Sequence, residues 1–263
     1  MYGKKIDRMV VKVGSSTLAH ENGNLNLRNM ERLCRVLGDI KNTGTEVILV
    51  SSGAQAAGMG TLGLAEKPKE LRLKQATAAV GQVSLMYTYD KLFGEYGCKI
   101  GQILLDRGDI DDEYHRQNLL NTFEALFEYG AVPIVNENDS VATEELGIGE
   151  NDGLSAIVAT LVHADILILL SDVNGLFYDD PHENPDARAI PVISDIDAVA
   201  HLAGGAGSNL GTGGMATKLS AAKVATTSGI DTVIIDGSDP SALYDILDGK
   251  PVGTLFVAKG VDA

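Results

Sequence analysis

Residues 166–170 read ILILL and lead directly into Ser171 and Asp172. Every position in this run is apolar, whereas a strand with one face in water alternates apolar and polar residues. Residues 47–50 (VILV) show the same pattern. Strands that are apolar on both faces are typical of parallel sheets covered by helices, so we predict an α/β protein with a buried, mainly parallel sheet.

The rest of the chain alternates short apolar runs with helix-like stretches. Further strands are predicted at residues 9–13, 103–105, 131–135, 233–235 and 255–258. Helices are predicted at residues 27–41, 74–96, 114–129, 152–162 and 217–227. Because no repeat, low-complexity segment or linker interrupts this pattern, we expect a single domain over residues 1–263, with a functional division near residue 165.

The composition is that of an ordinary globular protein, since 44% of the 263 residues are hydrophobic and 22% are charged. Lys and Arg number 21 and Asp and Glu number 36, so the net charge is −15. A field of this sign repels phosphate backbones and anionic lipid, so we expect neither nucleic acid nor membrane as a partner. We find no signal-peptide pattern and no apolar run of about 18 residues, which predicts a cytoplasmic protein.

Several kinds of site are not supported by the residues. Two cysteines, Cys34 and Cys98, are too few for a disulfide framework or a four-thiolate zinc site. We expect them to be buried thiols in a reducing compartment. The five histidines are scattered, and no Gly-x-Ser-x-Gly segment is present.

Four predicted strands end in glycine or polar residues. Ligands of open α/β sheets bind beyond the carboxyl ends of the strands. One such end is typical of an ordinary turn, but four at one edge of a sheet favour a binding site. The four segments are Gly14-Ser15-Ser16, Ser51-Ser52-Gly53, Asn136-Glu137-Asn138-Asp139 and Ser171-Asp172.

Lys12 lies among valines inside the first predicted strand (MVVKV). A buried ammonium group is costly unless it reaches a partner or a cleft. One interpretation is a lysine on an edge strand that extends into water. The other is a cation directed at an anion held by the glycine-containing turn that follows.

Residues 211–218 (GTGGMATK) form a glycine-rich loop that leads into a predicted helix and contains Lys218. The N-terminus of a helix presents free N–H groups, which favours phosphate. The loop is not a Walker A motif, because Thr217 stands where that motif requires glycine, and no strand precedes it as in a dinucleotide-binding fingerprint. A flexible surface loop is the ordinary alternative.

Carboxylates and amides cluster at residues 136–139 and again at Glu150, Asn151 and Asp152. In so acidic a protein, each cluster alone is typical of a solvated loop. Together they are suited to binding an amino acid or a magnesium nucleotide.

Six segments, in this order and spacing, resemble the glutamate 5-kinases of the amino acid kinase family. The resemblance covers residues 9–255 and implies a three-layer α/β/α sandwich with an open, mainly parallel sheet. It also implies that ATP phosphorylates the γ-carboxylate of L-glutamate, the first step of proline biosynthesis. The segments are VVKVGSSTL, LVSSGAQAAGM, VPIVNENDSVAT, GENDGLSA, LLSDVNGLFYDDP and GTGGMATKLSAA.

The resemblance also implies roles for individual residues. Lys12 and Lys218 would stabilise the transferring phosphoryl group, and Asp152 would hold the two lysines. Glutamate would bind to Ser52, Asp139 and Asn151, mainly within residues 1–164. ATP, accompanied by Mg²⁺, would bind mainly within residues 165–263. The implied ATP-binding residues are Lys12, Ser171, Asp172, Thr212, Gly213, Gly214, Met215, Ala216, Thr217 and Lys218.

Further expectations follow from the same resemblance. They are a homo-oligomer (a dimer or tetramer), feedback inhibition by proline, and a form without the C-terminal PUA domain that many of these kinases carry. The alternatives are an acetylglutamate or carbamate kinase of the same fold, or a non-catalytic sensor of amino acids or nucleotides. A sensor would be expected to lack a phosphoryl-transfer lysine, and both Lys12 and Lys218 are present.

Overall fold

A sheet of eight strands forms the centre of the computed structural model, which describes residues 5–20, 22–142, 151–179, 184, 186–203 and 214–259. The strands are β1 (Arg8–Val13), β2 (Glu46–Ser51), β3 (Lys99–Leu105), β4 (Ala131–Glu137), β5 (Ile166–Ser171), β6 (Val192–Ile193), β7 (Asp231–Asp236) and β8 (Thr254–Phe256).

Helices connect most of these strands in the described part of the chain. They are α1 (Ser15–Leu18), α2 (Leu27–Asn42), α3 (Ala54–Leu62), α4 (Leu71–Gly94), α5 (Arg107–Asp111), α6 (Glu113–Glu128), α7 (Asn151–Leu161), α8 (Ile196–Val199), α9 (Met215–Thr227) and α10 (Ala242–Leu247). A short 3₁₀ helix follows α8 at Ala200–Ala203.

The strand order is β3-β4-β2-β1-β5-β7-β8-β6. From β3 to β7 every neighbouring pair is parallel, while β8 runs antiparallel to β7 and carries β6 beside it. The predicted open, mainly parallel sheet is therefore confirmed. The reversed pair β8 and β6 lies at one end of the sheet, away from the four strands whose polar ends were singled out.

Alternate residues of the central strands enter two separate apolar cores, as strand geometry requires. In β1, Met9, Val11 and Val13 face a core that is closed by α2, α4 and α10. Val10 faces the opposite core, which is closed by α6, α7 and α9. Helices therefore cover both faces of the sheet, which confirms the predicted three-layer arrangement.

The helices α3 and α4 approach each other closely because glycines stand at their contact. A Cβ atom at Gly58 would lie 1.9 Å from the carbonyl oxygen of Thr77, and one at Gly81 would lie 1.8 Å from that of Ala54. No larger side chain fits at these two positions without moving a backbone. The contact therefore sets how closely α3 and α4 pack.

Differences from the prediction are mainly in small elements. The helices α1, α3, α5, α8 and α10 and the two-residue strand β6 were missed. In α3 the small residues AQAAGMGTL give no amphipathic pattern, and the others are too short to show one. Cys34 and Cys98 are buried and unpaired, as predicted. Among the described residues, none of the helices has both the length and the apolar character needed to cross a bilayer.

Candidate active site

The four polar segments singled out in the sequence lie side by side. They follow β4, β2, β1 and β5, which are consecutive in the sheet and parallel to one another. Their carboxyl ends therefore meet at one edge. The segments after β1, β2 and β5, together with the first turns of α7 and α9, surround the side chains described next.

Lys12 is a residue of the central strand β1, paired with Val50 on one side and Leu169 on the other. The edge-strand interpretation of this lysine is therefore wrong. Only 6% of the residue is exposed. Strand alternation directs the side chain to the face covered by α7 and α9, and its ammonium group lies 2.7 Å from Asp152 Oδ1.

Asp152 lies in the first turn of α7 and is completely buried. Its second carboxylate oxygen, Oδ2, lies 3.3 Å from the ammonium group of Lys218 and accepts a hydrogen bond of 2.8 Å from the hydroxyl of Thr217. The carboxylate thus stands between two buried lysines that come from distant parts of the chain. We call Lys12, Asp152 and Lys218 the lysine–aspartate centre.

The electrostatics of this centre keep its carboxylate charged. Burial by itself would raise the pKa of the Asp152 carboxyl. The charges of Lys12 and Lys218 and the hydrogen bonds from Lys12 and Thr217 outweigh this effect and hold the pKa below its ordinary value. Each lysine in turn has an anion within reach, which lessens the cost of burying a cation.

Lys218 is placed by the first turn of α9, whose N-cap residue is Gly214. Gly214 has an extended backbone with φ −82°, and no side chain of the described residues caps the helix there. No described atom lies within 4 Å of the point that a Cβ of Gly214 would occupy. The first N–H groups of α9, which include those of Met215, Ala216 and Thr217, have no partner of the intrahelical kind.

A row of amides extends from the lysine–aspartate centre toward α4. The Asn151 side chain donates to the carbonyl of Ser51, to the hydroxyl of Ser52 and to Oδ1 of Asn136, at 2.9–3.1 Å. Asn136 then donates to Oε1 of Gln82 at 3.1 Å. The structure thus brings together the predicted residues Ser52 and Asn151, and it adds Asn136 and Gln82.

Asp139 lies beyond this row, on the wall of a cavity of about 250 Å³ that Gln82 also lines. Burial raises the pKa of the Asp139 carboxyl to about 6; the charge of Glu137 adds to the rise, and that of Lys67 opposes it. Asp139 has no ion pair with a lysine or arginine among the described residues. Gln82, the last residue of the amide row, lines the same cavity as Asp139. No described hydrogen bond joins Asp139 to Asn151 or Ser52.

The remaining predicted residues lie at the end of β5 or outside the described residues. Ser171 is buried and its hydroxyl contacts Asp172 Oδ1 at 3.1 Å. Thr212 and Gly213 fall within residues 204–213, and Glu150 within residues 143–150, neither of which the structure describes.

Comparison with protein-family models gives a match over residues 7–236 to the amino acid kinase family. The chain belongs to the amino acid kinase family. The match includes β1, α7 and α9, which carry the lysine–aspartate centre.

Curated relatives place the chain among the glutamate 5-kinases of this family, so the predicted resemblance is confirmed. A glutamate 5-kinase of Clostridium perfringens is 52% identical over 261 residues, which are 97% of this chain and 97% of that protein. One of Moorella thermoacetica is 51% identical over 253 residues, which are 96% of this chain and 67% of that protein.

Solved structures of two other kinases share the fold at low identity. A UMP kinase of Bacillus anthracis superposes with a TM-score of 0.67 at 16% identity and covers 99% of this chain and 98% of its own. An isopentenyl phosphate kinase of T. acidophilum gives 0.64 at 18% identity, covering 95% and 99%. These neighbours support the fold only.

Three features of the candidate site were not predicted from the sequence. Asn136 was noted only as part of an acidic and amide cluster, although it ends a buried strand, where a polar side chain needs a partner. Gln82 stands in a helix with no local signal, and only the packing of α4 against the sheet edge brings it to Asn136. Thr217 was assigned to ATP, and its hydroxyl contacts Asp152.

Proposed function

We propose that this protein transfers the γ-phosphoryl group of ATP to the γ-carboxylate of L-glutamate. The observation that carries the proposal is the Asp152 carboxylate held between two buried lysines at the edge of the sheet where ligands bind. Relatives with about half of their residues identical are glutamate 5-kinases.

The reaction needs placement and positive charge more than proton transfer. An oxygen of the substrate γ-carboxylate forms a bond to the γ-phosphorus, while the bond from that phosphorus to the β,γ-bridging oxygen breaks and ADP leaves. The attacking carboxylate is already ionised near neutral pH, with an ordinary pKa of about 4.3, so no general base is required. Negative charge spreads over the phosphoryl oxygens in the transition state.

Lys12 and Lys218 supply cations for that charge from two sides. Asp152 contacts both ammonium groups, so it sets where they lie before substrates arrive. Groups arranged in advance stabilise the transition state without reorganisation during the reaction. Asp152 is thus a positioning residue, whereas the two lysines contact the reacting atoms.

ATP is assigned to the end of β5 and the start of α9. Ser171 ends β5 and Asp172 follows it, and the first N–H groups of α9 suit phosphate oxygens. Thr212 and Gly213 stay part of this prediction. We also retain the division in which residues 1–164 mainly bind glutamate and residues 165–263 mainly bind ATP.

Mg²⁺ is proposed to accompany the nucleotide. No group of three or more His, Cys, Asp or Glu side chains among the described residues is arranged to hold a metal ion. This fits an ion that is carried by the nucleotide phosphates, which is common for Mg²⁺ in kinases. When bound, the ion would neutralise phosphate charge.

The amino-acid end of glutamate is assigned to Ser52, Asn151 and Asp139. Asp139 would bind the substrate ammonium group. Its carboxylate is suited to this because it has no lysine or arginine ion partner among the described residues. Proline also carries an amine and an α-carboxylate, and we propose it as a competing inhibitor at this end.

The assembly and location of the protein are also proposals. Val83 and Tyr87, on the outer face of α4, are about 70% exposed, which supports a dimer or tetramer. The buried thiols support a cytoplasmic location, and the net charge of −15 argues against nucleic acid as a partner.

An ADP-release assay with ATP and a panel of acceptors tests the activity. The panel is L-glutamate, N-acetylglutamate, aspartate and carbamate. We expect efficient turnover with L-glutamate alone, because N-acetylation removes the ammonium charge and adds bulk. Efficient phosphorylation of N-acetylglutamate would instead identify an acetylglutamate kinase and overturn the proposal. Adding proline to the same assay tests the inhibition.

A further inference from the structure

Gln82 lines the cavity that Asp139 also lines, and the hydrogen bonds around it determine which of its side-chain atoms is left for a ligand. The side-chain oxygen of Asn136 accepts from the backbone N–H of Glu137 at 2.9 Å, and a backbone N–H can only donate. The other Asn136 atom is therefore the amide nitrogen, which donates to Gln82 at 3.1 Å. Gln82 must then accept with Oε1, so Nε2 is turned away from Asn136.

The same reasoning fixes the rest of the row. The Asn151 amide contacts the carbonyl of Ser51, which can only accept, so the atom that reaches Asn136 is a nitrogen. Two independent donors thus determine how Asn136 is oriented, and Asn136 determines how Gln82 is oriented. Gln82 Nε2 carries two hydrogens and has no hydrogen-bond partner among the described residues.

The cavity beside Gln82 combines this donor with acidic groups. Its polar wall includes Glu137 and Asp139, and its apolar wall includes Ala79, Val83 and Leu104. The two carboxylates suit an ammonium group and repel an anion. An α-amino acid carries its ammonium and carboxylate groups on the same carbon. If the ammonium group binds here, the carboxylate therefore needs a hydrogen-bond donor on the same wall.

Gln82 is better placed for that task than the other amides at the cavity. Asn138 and Gln102 also line it. Neither is joined to the amide row that leads to Asp152, whereas Gln82 is its terminal member. Gln82 also follows Gly81, whose contact with Ala54 leaves no space for a Cβ atom, so the helix position at Gln82 is tightly defined. A rigid support of this kind favours specific recognition.

We propose that Gln82 Nε2 binds the α-carboxylate of the amino-acid substrate while Asp139 binds its ammonium group. Gln82 is then a specificity-determining residue that selects a free α-carboxylate. This inference rests on the proposed glutamate kinase activity. It places the α-carbon end of the substrate at α4 and its γ-carboxylate at the lysine–aspartate centre, with the amide row between them.

The decisive variant is Gln82→Glu, because it keeps an oxygen that can accept from Asn136 and changes only the atom that does not contact Asn136. The assay compares kcat/KM for L-glutamate with that for L-isoglutamine, whose α-carboxylate is an uncharged amide and whose γ-carboxylate is free. Losing a hydrogen bond to a charged group costs about 10- to 100-fold, and like-charge repulsion adds to the loss.

We expect Gln82→Glu to lower kcat/KM for glutamate by about 100-fold and to change that for isoglutamine by less than about threefold. The ratio of kcat/KM for glutamate to kcat/KM for isoglutamine therefore falls by nearly the same factor. Partial unfolding cannot produce this result, since it reduces both values equally. Gln117→Glu, on the exposed surface of α6, adds the same charge elsewhere and should leave the ratio unchanged.

Gln82→Met serves as a second variant should Gln82→Glu fail to fold. It keeps the length of the side chain and removes the donor, so it should also lower the ratio, by about tenfold. An equal loss for both substrates in either variant would overturn the inference and leave Gln82 as a support for Asn136. Wild-type protein that fails to phosphorylate glutamate would instead overturn the proposed function.

Discussion

Asp152 and Asp139 both lie at the edge of the sheet where parallel strands end, yet their surroundings shift their pKa values in opposite directions. Asp152 is completely buried, and two lysines hold its pKa below the ordinary range. Asp139 is only partly buried, and burial with the charge of Glu137 raises its pKa to about 6. The more deeply buried carboxylate is therefore the one that stays charged.

The difference supports the proposal that the two regions have different tasks. The lysine–aspartate centre has its opposite charges paired within the protein, so its geometry exists before any ligand binds. The Asp139 cavity has an acidic group with no lysine or arginine ion partner among the described residues. Such a group gains from a cationic ligand, which supports substrate recognition there and phosphoryl transfer at the centre.

The largest expected effect comes from removing a lysine of the centre. We expect Lys12→Ala and Lys218→Ala each to lower kcat by about 10²- to 10³-fold, the usual effect of losing one preorganised charge donor. The melting temperature should stay near that of the wild type, because Asp152 keeps the other lysine and the Thr217 hydroxyl. Steady-state kinetics and thermal denaturation measure the two quantities.

Lys223→Ala is the matched control for these variants. Lys223 also belongs to α9, but it is exposed and pairs with Asp197 at 2.6 Å. Its removal should leave kcat unchanged. Near-native turnover by Lys12→Ala or Lys218→Ala would remove that lysine from the catalytic role and would make the two aspartate regions less different than described.

Removing Asp139 should act on substrate binding rather than on the chemical step. Truncating one partner of a buried charge pair costs about 2–5 kcal/mol, which predicts that Asp139→Ala raises the KM for glutamate by roughly 30-fold or more. The KM for ATP should change little. A variant that loses thermal stability but keeps its glutamate KM would assign Asp139 to the turn after β4 instead.

The pH dependence of glutamate binding sharpens the comparison. With a pKa of about 6, Asp139 loses its charge as the pH falls through 6, so its attraction for ammonium is lost on the acidic side. We expect the KM for glutamate to rise about tenfold between pH 8 and pH 5. Because the pKa of Asp152 is lowered, its carboxylate should stay charged over the same range.

Asp139→Asn provides the control for this titration. Its KM should be high and nearly independent of pH, since the amide does not ionise in this range. A wild-type KM that stays flat from pH 8 to pH 5 would contradict the assignment of the ammonium group to Asp139.

The smallest expected effect concerns the start of α9. A Cβ at Gly214 meets no described atom and its backbone φ of −82° suits any residue, so Gly214→Val should fold normally. The added side chain would instead occupy the space in front of the helix N-terminus, where phosphate is proposed to bind. We expect calorimetric titration to show ATP binding weakened by about fivefold and glutamate binding unchanged. Equal weakening of both would indicate general misfolding.

Much of the fold could be predicted because its signals are local. The uniformly apolar runs of β2 and β5 identify strands buried on both faces, and the polar residues at the carboxyl ends of β1, β2, β4 and β5 identify the edge of the sheet at which we propose that ligands bind. Short or small-residue helices such as α3 gave no such signal, because their packing depends on glycines that meet another helix rather than on a pattern of apolar residues.

The sequence by itself determined the fold class, the family and the residue types of the centre, since these depend on periodicity and on motifs that are contiguous in the chain. Only the tertiary structure decided that Lys12 is central rather than at an edge, that Thr217 contacts Asp152, and that Gln82 faces the Asp139 cavity. These facts join residues that are far apart in sequence. Contacts across the sheet and between helices follow from three-dimensional packing, which no local pattern of residues records.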